Sequence, residues 1–459
     1  MYRFFLGLVL TVGLVSCKSY YSKLQSFNYY FESGNYSEAE KRYQNVDKPK
    51  GHNQLLYYMN MGMLNHLQGK YELSNQFFES AYIFTQDNFK NVSADFASVF
   101  VSSSVNKYLG NPLEVQLINY YKALNYIQLN QIDKAMVECR RAIQVSQFFD
   151  DKFSGNKKFQ RDPFVFSMIG LIFEMGGDYD NALFCLKKSI SIYQSENLGK
   201  IGIGVPDQLK SDVIRLAKIV GDQSAVETYT NQFGQNYSQS TKPKNTKEII
   251  LLWHNGLCPV KKESNLMFNI NSNGGGNVMF LNDDLGLNIP VVLPVQNFSA
   301  LNIMFIRMAL PNYKERYLVF NSAQVKVDSN KTVKMELAQD FNAVDKKILK
   351  DQLLTNITQS LIRVTMRQVL AAQASKENQA LGIGLSLAGA IFEKADTRNW
   401  QSLPHSVYYT RIYVPEHKKN LELEFNGTQN KNISINIEKL SNKNINLLTV
   451  TTPEFNRYQ

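Results

Sequence analysis

Cysteine is scarce: four occur in 459 residues, at positions 17, 139, 185 and 258. No CxxC pair exists, which excludes a zinc ribbon and a fold built on a disulfide framework. The five histidines, at 52, 66, 254, 405 and 417, show no HExxH or other paired-ligand spacing, so no metal site is expected. A serine nucleophile elbow is missing as well. Gly274-Gly275-Gly276 is followed by no Lys-Ser/Thr pair and reads as a hairpin tip, and Gly199-x-x-Gly202-x-Gly204 has no preceding strand and reads as a loop. These absences point away from an enzyme and from a bound cofactor. No apolar run reaches the roughly 20 residues that span a bilayer; the one at 382–392, interrupted by Gly384 and Gly389, is expected to be a buried helix.

Charge of one sign is not concentrated anywhere. The net value is +10, but the basic residues are scattered and accompany no RNA-binding aromatic motif, which excludes a nucleic-acid partner and leaves only weak attraction to anionic lipid or peptidoglycan. Hydrophobic residues make up 44% and charged ones 20%, a folded rather than a disordered composition, and the length suffices for two or three domains.

What is present begins at the N-terminus. Arg3 precedes a short run at 4–15 that is apolar apart from Gly7, Thr11 and Gly13, and this is the pattern of a secretory signal at residues 1–16. Leu14-Val15-Ser16-Cys17 then resembles a bacterial lipobox, in which the cysteine thiol is acylated and becomes the first mature residue. Cys17 is therefore expected to carry a lipid anchor. Lys18 follows in place of an inner-membrane retention aspartate, which favours the outer membrane and a periplasm-facing chain. With Cys17 acylated, Cys139 and Cys185 fall at inward helix positions and Cys258 beside Pro259. Buried thiols are expected, with one disulfide left open by an oxidising compartment.

Residues 17–233 carry an internal repeat. Gly34-x-Tyr36-x-x-Ala39-x-x-x-Tyr43 recurs as Gly69-x-Tyr71-x-x-Ser74-x-x-x-Phe78-x-x-Ala81, close to the 34-residue tetratricopeptide period. Further copies run through Ala123, Tyr126, Asn130, Ile132, Ala135, Cys139 and Ala142, and through Gly170, Phe173, Gly177, Tyr179, Ala182, Leu186 and Ser189. A fifth, weaker pair starts at Pro206. Small residues such as Gly62, Ala123 and Gly170 let paired helices approach, so this half is expected to be an all-α helical solenoid. Residues 89–110 read as an insertion and 148–162 as a polar loop. Solenoids offer a concave groove to partner proteins, and tyrosines on first helices, Tyr57, Tyr58, Tyr120 and Tyr121 together with Tyr29, are the candidate contact residues.

The polar stretch 234–246 reads as a linker between separable folding units. Residues 247–459 change to short alternating segments, at 249–253, 266–270, 289–293, 302–308, 325–327, 333–337, 407–414, 421–425, 433–437 and 447–451. A helix at 344–375 interrupts them, with Leu354, Ile357, Leu361, Val364 and Ala371 on one face and Lys350, Arg363 and Arg367 on the solvated side. An α+β domain with mostly antiparallel strands is expected. Asp396, Arg398, Trp400 and Pro404 form its densest cluster of specific residue types. Asp396 and Arg398 offer a catalytic charge pair in one reading; in the favoured one the cluster is a structural turn locking the long helix onto the final sheet.

These features, with Ala123-Leu124-Asn125-Tyr126, Glu138-Cys139-Arg140-Arg141, Asn255-Gly256-Leu257-Cys258-Pro259-Val260-Lys261, Ala309-Leu310-Pro311-x-Tyr313 and Ala395-Asp396-Thr397-Arg398-Asn399-Trp400-x-x-Leu403-Pro404, resemble an uncharacterised family of bacterial tetratricopeptide lipoproteins over nearly the whole mature chain. The resemblance implies a cell-envelope role, because members are often encoded beside lipoproteins of the penicillin-binding-protein activator type, and it transfers no catalytic residue. The expected function is a protein-binding scaffold in the envelope; an accessory role in envelope secretion or export is the alternative, and an envelope enzyme the third.

Overall fold

The computed structural model describes residues 20–89, 107–153, 161–195, 198–234, 237, 242–272, 274–283, 285–295, 304–328, 331–377, 395–442, 444–453 and 455–456. Cys17 and the run 382–392 lie outside them. A turn at Tyr20–Lys23 leads into five helical hairpins: α1 (Gln25–Glu32) with α2 (Tyr36–Val46), α3 (Gln54–Leu67) with α4 (Tyr71–Phe89), α5 (Pro112–Gln128) with α6 (Ile132–Phe153), α7 (Pro163–Met175) with α8 (Tyr179–Ser195), and α9 (Asp207–Val220) with α10 (Gln223–Phe233).

One local device builds all five. Each first helix ends in a left-handed residue, Gly34, Gly69, Asn130, Gly177 or Gly221, with φ of 75°, 73°, 57°, 79° and 81°. The next residue's N–H then reaches back to a carbonyl five positions earlier: Asn35 to Tyr30, Lys70 to Asn65, Gln131 to Tyr126, Asp178 to Phe173 and Asp222 to Ala217, at 2.8–2.9 Å. This Schellman closure satisfies the last carbonyls and reverses the chain. Glycine, or an asparagine that tolerates the left-handed region, is needed there because a Cβ is strained at positive φ. Asn35, Asp178 and Asp222 then cap the second helices by accepting from Glu38, Asn181 and Ala225 N–H. Close approach fixes the other small residues. A Cβ on Gly62 would sit 2.7 Å from the Phe78 ring, and one on Gly170 2.5 Å from Leu186 Cδ2.

Residues 148–153, expected in a loop, continue α6, because Phe148 and Phe149 pack on Phe89 at the end of α4. Strands follow the helices. β1 (Thr246–Asn255) lies between β10 (Ser406–Pro415), antiparallel, and β13 (Ile445–Thr452), parallel, with β9 (Glu336–Asp340) beyond β10. β1 is buried on both faces, which explains its unbroken apolar run. Ile249, Leu251 and Trp253 face a second sheet of β12 (Lys431–Asn436), β11 (Asn420–Gly427), β7 (Phe320–Lys326) and β8 (Thr332–Lys334), forming a sandwich. A third sheet, β4 (Leu287–Val292), β3 (Asn277–Asn282), β2 (Val260–Ser272) and β5 (Phe305–Lys314), is covered on one face by α11 (Phe341–Glu377) through Ile357, Leu361 and Val364. Gly274 and Gly275 turn the β2–β3 hairpin. Leu354 is exposed rather than buried, since it sits at the edge of the apolar stripe centred between Ile357 and Val364. Among the described residues no helix is long and apolar enough to cross a membrane.

The other face of the first sheet corrects the expectation of separable units. Ile250, Leu252, Val407, Tyr409 and Leu447 belong to the same buried core as Leu56, Leu117, Leu124, Ile169 and Leu216 of the first helices. The boundary at 234–246 is a change of secondary structure, and the apolar core runs across it.

Gly170→Leu is expected to destabilise the fold by about 1 to 3 kcal/mol through overpacking against Leu186. Calorimetry should show one unfolding transition, lowered as a whole. Two transitions, with only one of them shifted, would sink the shared core.

Candidate functional site

The seam between solenoid and sheet holds most of the residues singled out by sequence. Tyr120 and Tyr121, expected to line an open groove, are only 4% and 2% exposed. The Tyr120 hydroxyl is 2.9 Å from His254 Nε2 on β1, and the Tyr121 ring lies between Phe78 and Trp400, each 5.9 Å away by centroid. Burial raises both phenols and pushes His254 down to about 3, so this contact is between neutral groups. Tyr57 and Tyr58 are half-buried: Tyr57 stacks on Tyr43, and the Tyr58 hydroxyl accepts from Gln54. The five first-helix tyrosines therefore divide: Tyr120 and Tyr121 lie in the core, Tyr57 and Tyr58 on its margin, and Tyr29 is 56% exposed on α1. The strands occupy the inner face because its apolar surface continues the sheet's.

Ionic contacts bind the same seam. The Arg411 guanidinium on β10 pairs with Glu174 on α7 at 2.7 Å, Asp212 on α9 at 2.9 Å and Glu248 on β1, while Arg215 pairs with Glu174 at 2.7 Å and Asp212 at 3.2 Å. Burial works to raise both Glu174 and Asp212. The two arginines outweigh it at Glu174, which ends below the usual range, and do not at Asp212, which ends above it.

The cluster near residue 400 is built into this seam too. Arg398 holds Asp396 through two contacts of 2.6 and 2.8 Å, donates to His52 O and Asn53 Oδ1 at the start of α3, and covers the Tyr108 ring at 5.4 Å. Trp400 N–H donates to Glu114 Oε1 at 2.8 Å, and Ser402 to Asn60 at 2.7 Å. These contacts fasten the segment to the start of α3 and to α5. Pro404 borders a void of about 10 Å³ beside His66, His254 and Tyr121, room for one water at most. Burial raises all three described thiols, Cys185 and Cys258 to about 12, and none is in a disulfide. Among the described residues no group of three His, Cys, Asp or Glu could hold a metal ion.

The open feature lies on the outer side of the solenoid and was not anticipated. Helices α4 and α6 meet at their far ends, with Phe89 and Phe149 centroids 5.5 Å apart. Nearer their N-termini they border a cleft of about 690 Å³, lined by Asn75, Glu79, Lys134, Val137 and Arg141 over Tyr126 and Leu129. At its base Lys122, fully buried on α5, pairs with Glu79 and, at 2.9 Å, with Glu138; Arg141 reaches the same two acids at 3.0 and 3.2 Å. Burial raises Glu79, but Lys122 and Arg141 overcome it and hold the carboxyl below its usual range. The Asn75 side chain is 7% exposed and its amide nitrogen has no hydrogen-bond acceptor. The available sequence signal was Lys122 itself, since a lysine among core positions requires acidic partners.

No protein-family model and no curated protein matches the chain. Solved structures align with 45–49% of it at low scores. They include BtubC (BKLC) from P. vanneervenii (15% identity, 45% of this chain and 74% of that one, TM-score 0.31), PilF of Pseudomonas aeruginosa (15%, 49% and 79%, 0.30) and a putative kinesin light chain of Podosopora anserina with nearly identical TPR-like repeats (11%, 46% and 91%, 0.31). Scores near 0.3 say nothing about function, and the repeat architecture rests on the five hairpins themselves.

Asp162 caps α7 by accepting from Val165 N–H at 2.9 Å and also accepts from Gln339 on β9. Burial raises its carboxyl to about 7. A folded-state value above the unfolded one near 4 means that the contribution of Asp162 to stability is greatest below pH 4 and falls as pH rises toward 7, on the order of a few kcal/mol. Asp162→Asn keeps a good cap and should flatten this slope in urea midpoints measured from pH 4 to 8. An unchanged slope would refute the assignment.

Proposed function

We propose that the chain is a lipid-anchored scaffold of the cell envelope, held at the outer membrane through Cys17, rather than an enzyme. In this reading it binds a partner protein at the outer cleft between α4 and α6. The observation that supports the placement is the occupied inner face: its first-helix surface is buried under β1 and β10, so the face that solenoids commonly offer is used within the chain. The cleft combines what a peptide segment needs. Tyr126, Leu129 and Val137 supply apolar contact, and Lys134 and Arg141 with Glu72 and Glu79 supply paired charges of both signs. The resemblance described above points to a peptidoglycan-synthesis activator assembly as the setting.

Two experiments test this. Replacing Cys17 with Ser should abolish labelling by a palmitate analogue and release the protein from membranes. Persistence of label would remove the anchor. A photo-crosslinking residue at Val137, which is 44% exposed beside the cleft, should join the chain to one defined species, and Arg141→Glu should reduce that product roughly tenfold by unpairing the buried acids. The same crosslinker at Ile219, exposed on α9 away from the cleft, is the control. Equal products at both positions would rule the cleft out.

A further inference from the structure

Several large apolar side chains on or beside the third sheet are exposed. Met267, Val292, Met304 and Phe305 are 57%, 77%, 74% and 56% exposed. Strand parity places three of them on one surface. Phe268, Val278, Phe280, Ile289, Val291 and Ile306 face α11, so their alternating neighbours Met267, Met279, Leu281, Val292 and Phe305 point the other way. Pairing brings these together across the sheet: Phe305 opposes Asn269, which opposes Leu281, and Met267 opposes Arg307. From Asn265 onward on β2, and on the paired stretches of β3, β4 and β5, this face carries apolar side chains, several asparagines and the single charge of Arg307, with no acidic residue. Four strands make it about 19 Å wide. A sheet face exposed to water alone is usually polar, and the exposed Met267, Val292 and Phe305 on this one, set among asparagines with a single charge, mark a contact surface.

The course of the chain indicates what covers it. Ala395 N–H donates to Glu263 on β2 at 3.0 Å, and Tyr20 N–H donates to Thr397 Oγ1 at 3.1 Å. The Tyr20–Lys23 turn packs against β2. Pairing of β2 with β5 is unbroken from Val260 to Asn269, so Glu263 lies on the same face as Met267, about 13 Å along the strand. Cys17 is three residues from Tyr20, a reach of about 10 Å. An acyl chain at Cys17 thus tethers the bilayer to the chain beside β2, the strand that carries Met267.

We infer that the outer face of the β4-β3-β2-β5 sheet rests on the lipid bilayer, with Met267, Phe305 and Val292 entering the headgroup region and Arg307 meeting anionic phosphates. This rests on the anchor proposed above. Burying side chains of this kind to a depth of about 5 to 10 Å is the interaction expected of a peripheral apolar face. It orients the molecule, turning a flexible tether into a seated one.

The test uses the full-length lipoprotein in vesicles of brominated phosphatidylethanolamine and phosphatidylglycerol. Met267→Cys and Val137→Cys variants are labelled with bimane, the native Cys139, Cys185 and Cys258 being buried. Emission at position 267 should fall by roughly half relative to unbrominated lipid, while position 137 stays unquenched. Phe305→Asp should restore emission at 267 without changing the thermal midpoint. If mass spectrometry finds the lipid on Cys17 but 267 is not quenched, the face does not meet the bilayer and the inference fails alone. Doubling of mass by light scattering in detergent, with no quenching at 267, would assign the face to a second copy instead. If Cys17 carries no lipid, the anchor reading fails, and added vesicles must still quench 267 for the face to stand.

Discussion

Arg411 is the contact on which the arrangement of the two halves turns. Its guanidinium is withdrawn from water between Glu174 and Asp212 of the solenoid and Glu248 of the sheet, and Arg215 neutralises part of the acidic excess. A charge buried this deeply is tolerated only with every partner in place, and removing one partner of such a pair commonly costs about 3 to 5 kcal/mol. Apolar surfaces alone would let the sheet slide over the first helices, because hydrophobic contact has no direction. The ionic set, with Trp400 donating to Glu114 and Tyr193 to Ala338 O, selects one register of sheet on solenoid.

That register has a functional consequence. A helical repeat stack ordinarily leaves its first-helix surface for a ligand, and here α5 and α7 are buried almost throughout their length under the chain's own strands. Two of the surfaces left open among the described residues are the outer cleft over Lys122 and the uncovered face of the third sheet. They lie on opposite kinds of element, one polar and concave, the other flat and apolar, and they suit different contacts.

Much of the architecture was legible before the fold was known. The Gly-x-Tyr spacing marks three of the five hairpins, at Gly34, Gly69 and Gly177, because a left-handed residue closes the first helix and the second begins two positions on; Asn130-x-Ile132 and Gly221-x-Gln223 close the other two in the same way. Helix α11 and most strands follow from apolar periodicity; β3 was missed, and the segment 333–337 divides between β8 and β9. The errors have physical causes. Phe148 and Phe149 extended α6 through contact with Phe89, a partner 60 residues away, and Leu354 fell at the margin of its stripe. Tyr120 and Tyr121 carry the same residue type as Tyr57 and Tyr58, and nothing local separates a tyrosine over a groove from one under a sheet.

The sequence by itself determined the left-handed turns, the small-residue contacts at Gly62 and Gly170, and the change from helical to strand periodicity after Phe233, since each depends on neighbours within one hairpin or one strand. Only the tertiary structure decided that the two halves share a core, that Arg398 and Trp400 fasten the chain to the start of α3 and to α5, and that Lys122 underlies an open cleft. An apolar pattern states which face of an element avoids water. It does not state what covers that face, because any apolar surface of matching shape satisfies it, and the choice falls to directional contacts between residues such as Arg411 and Glu174 that stand 237 positions apart.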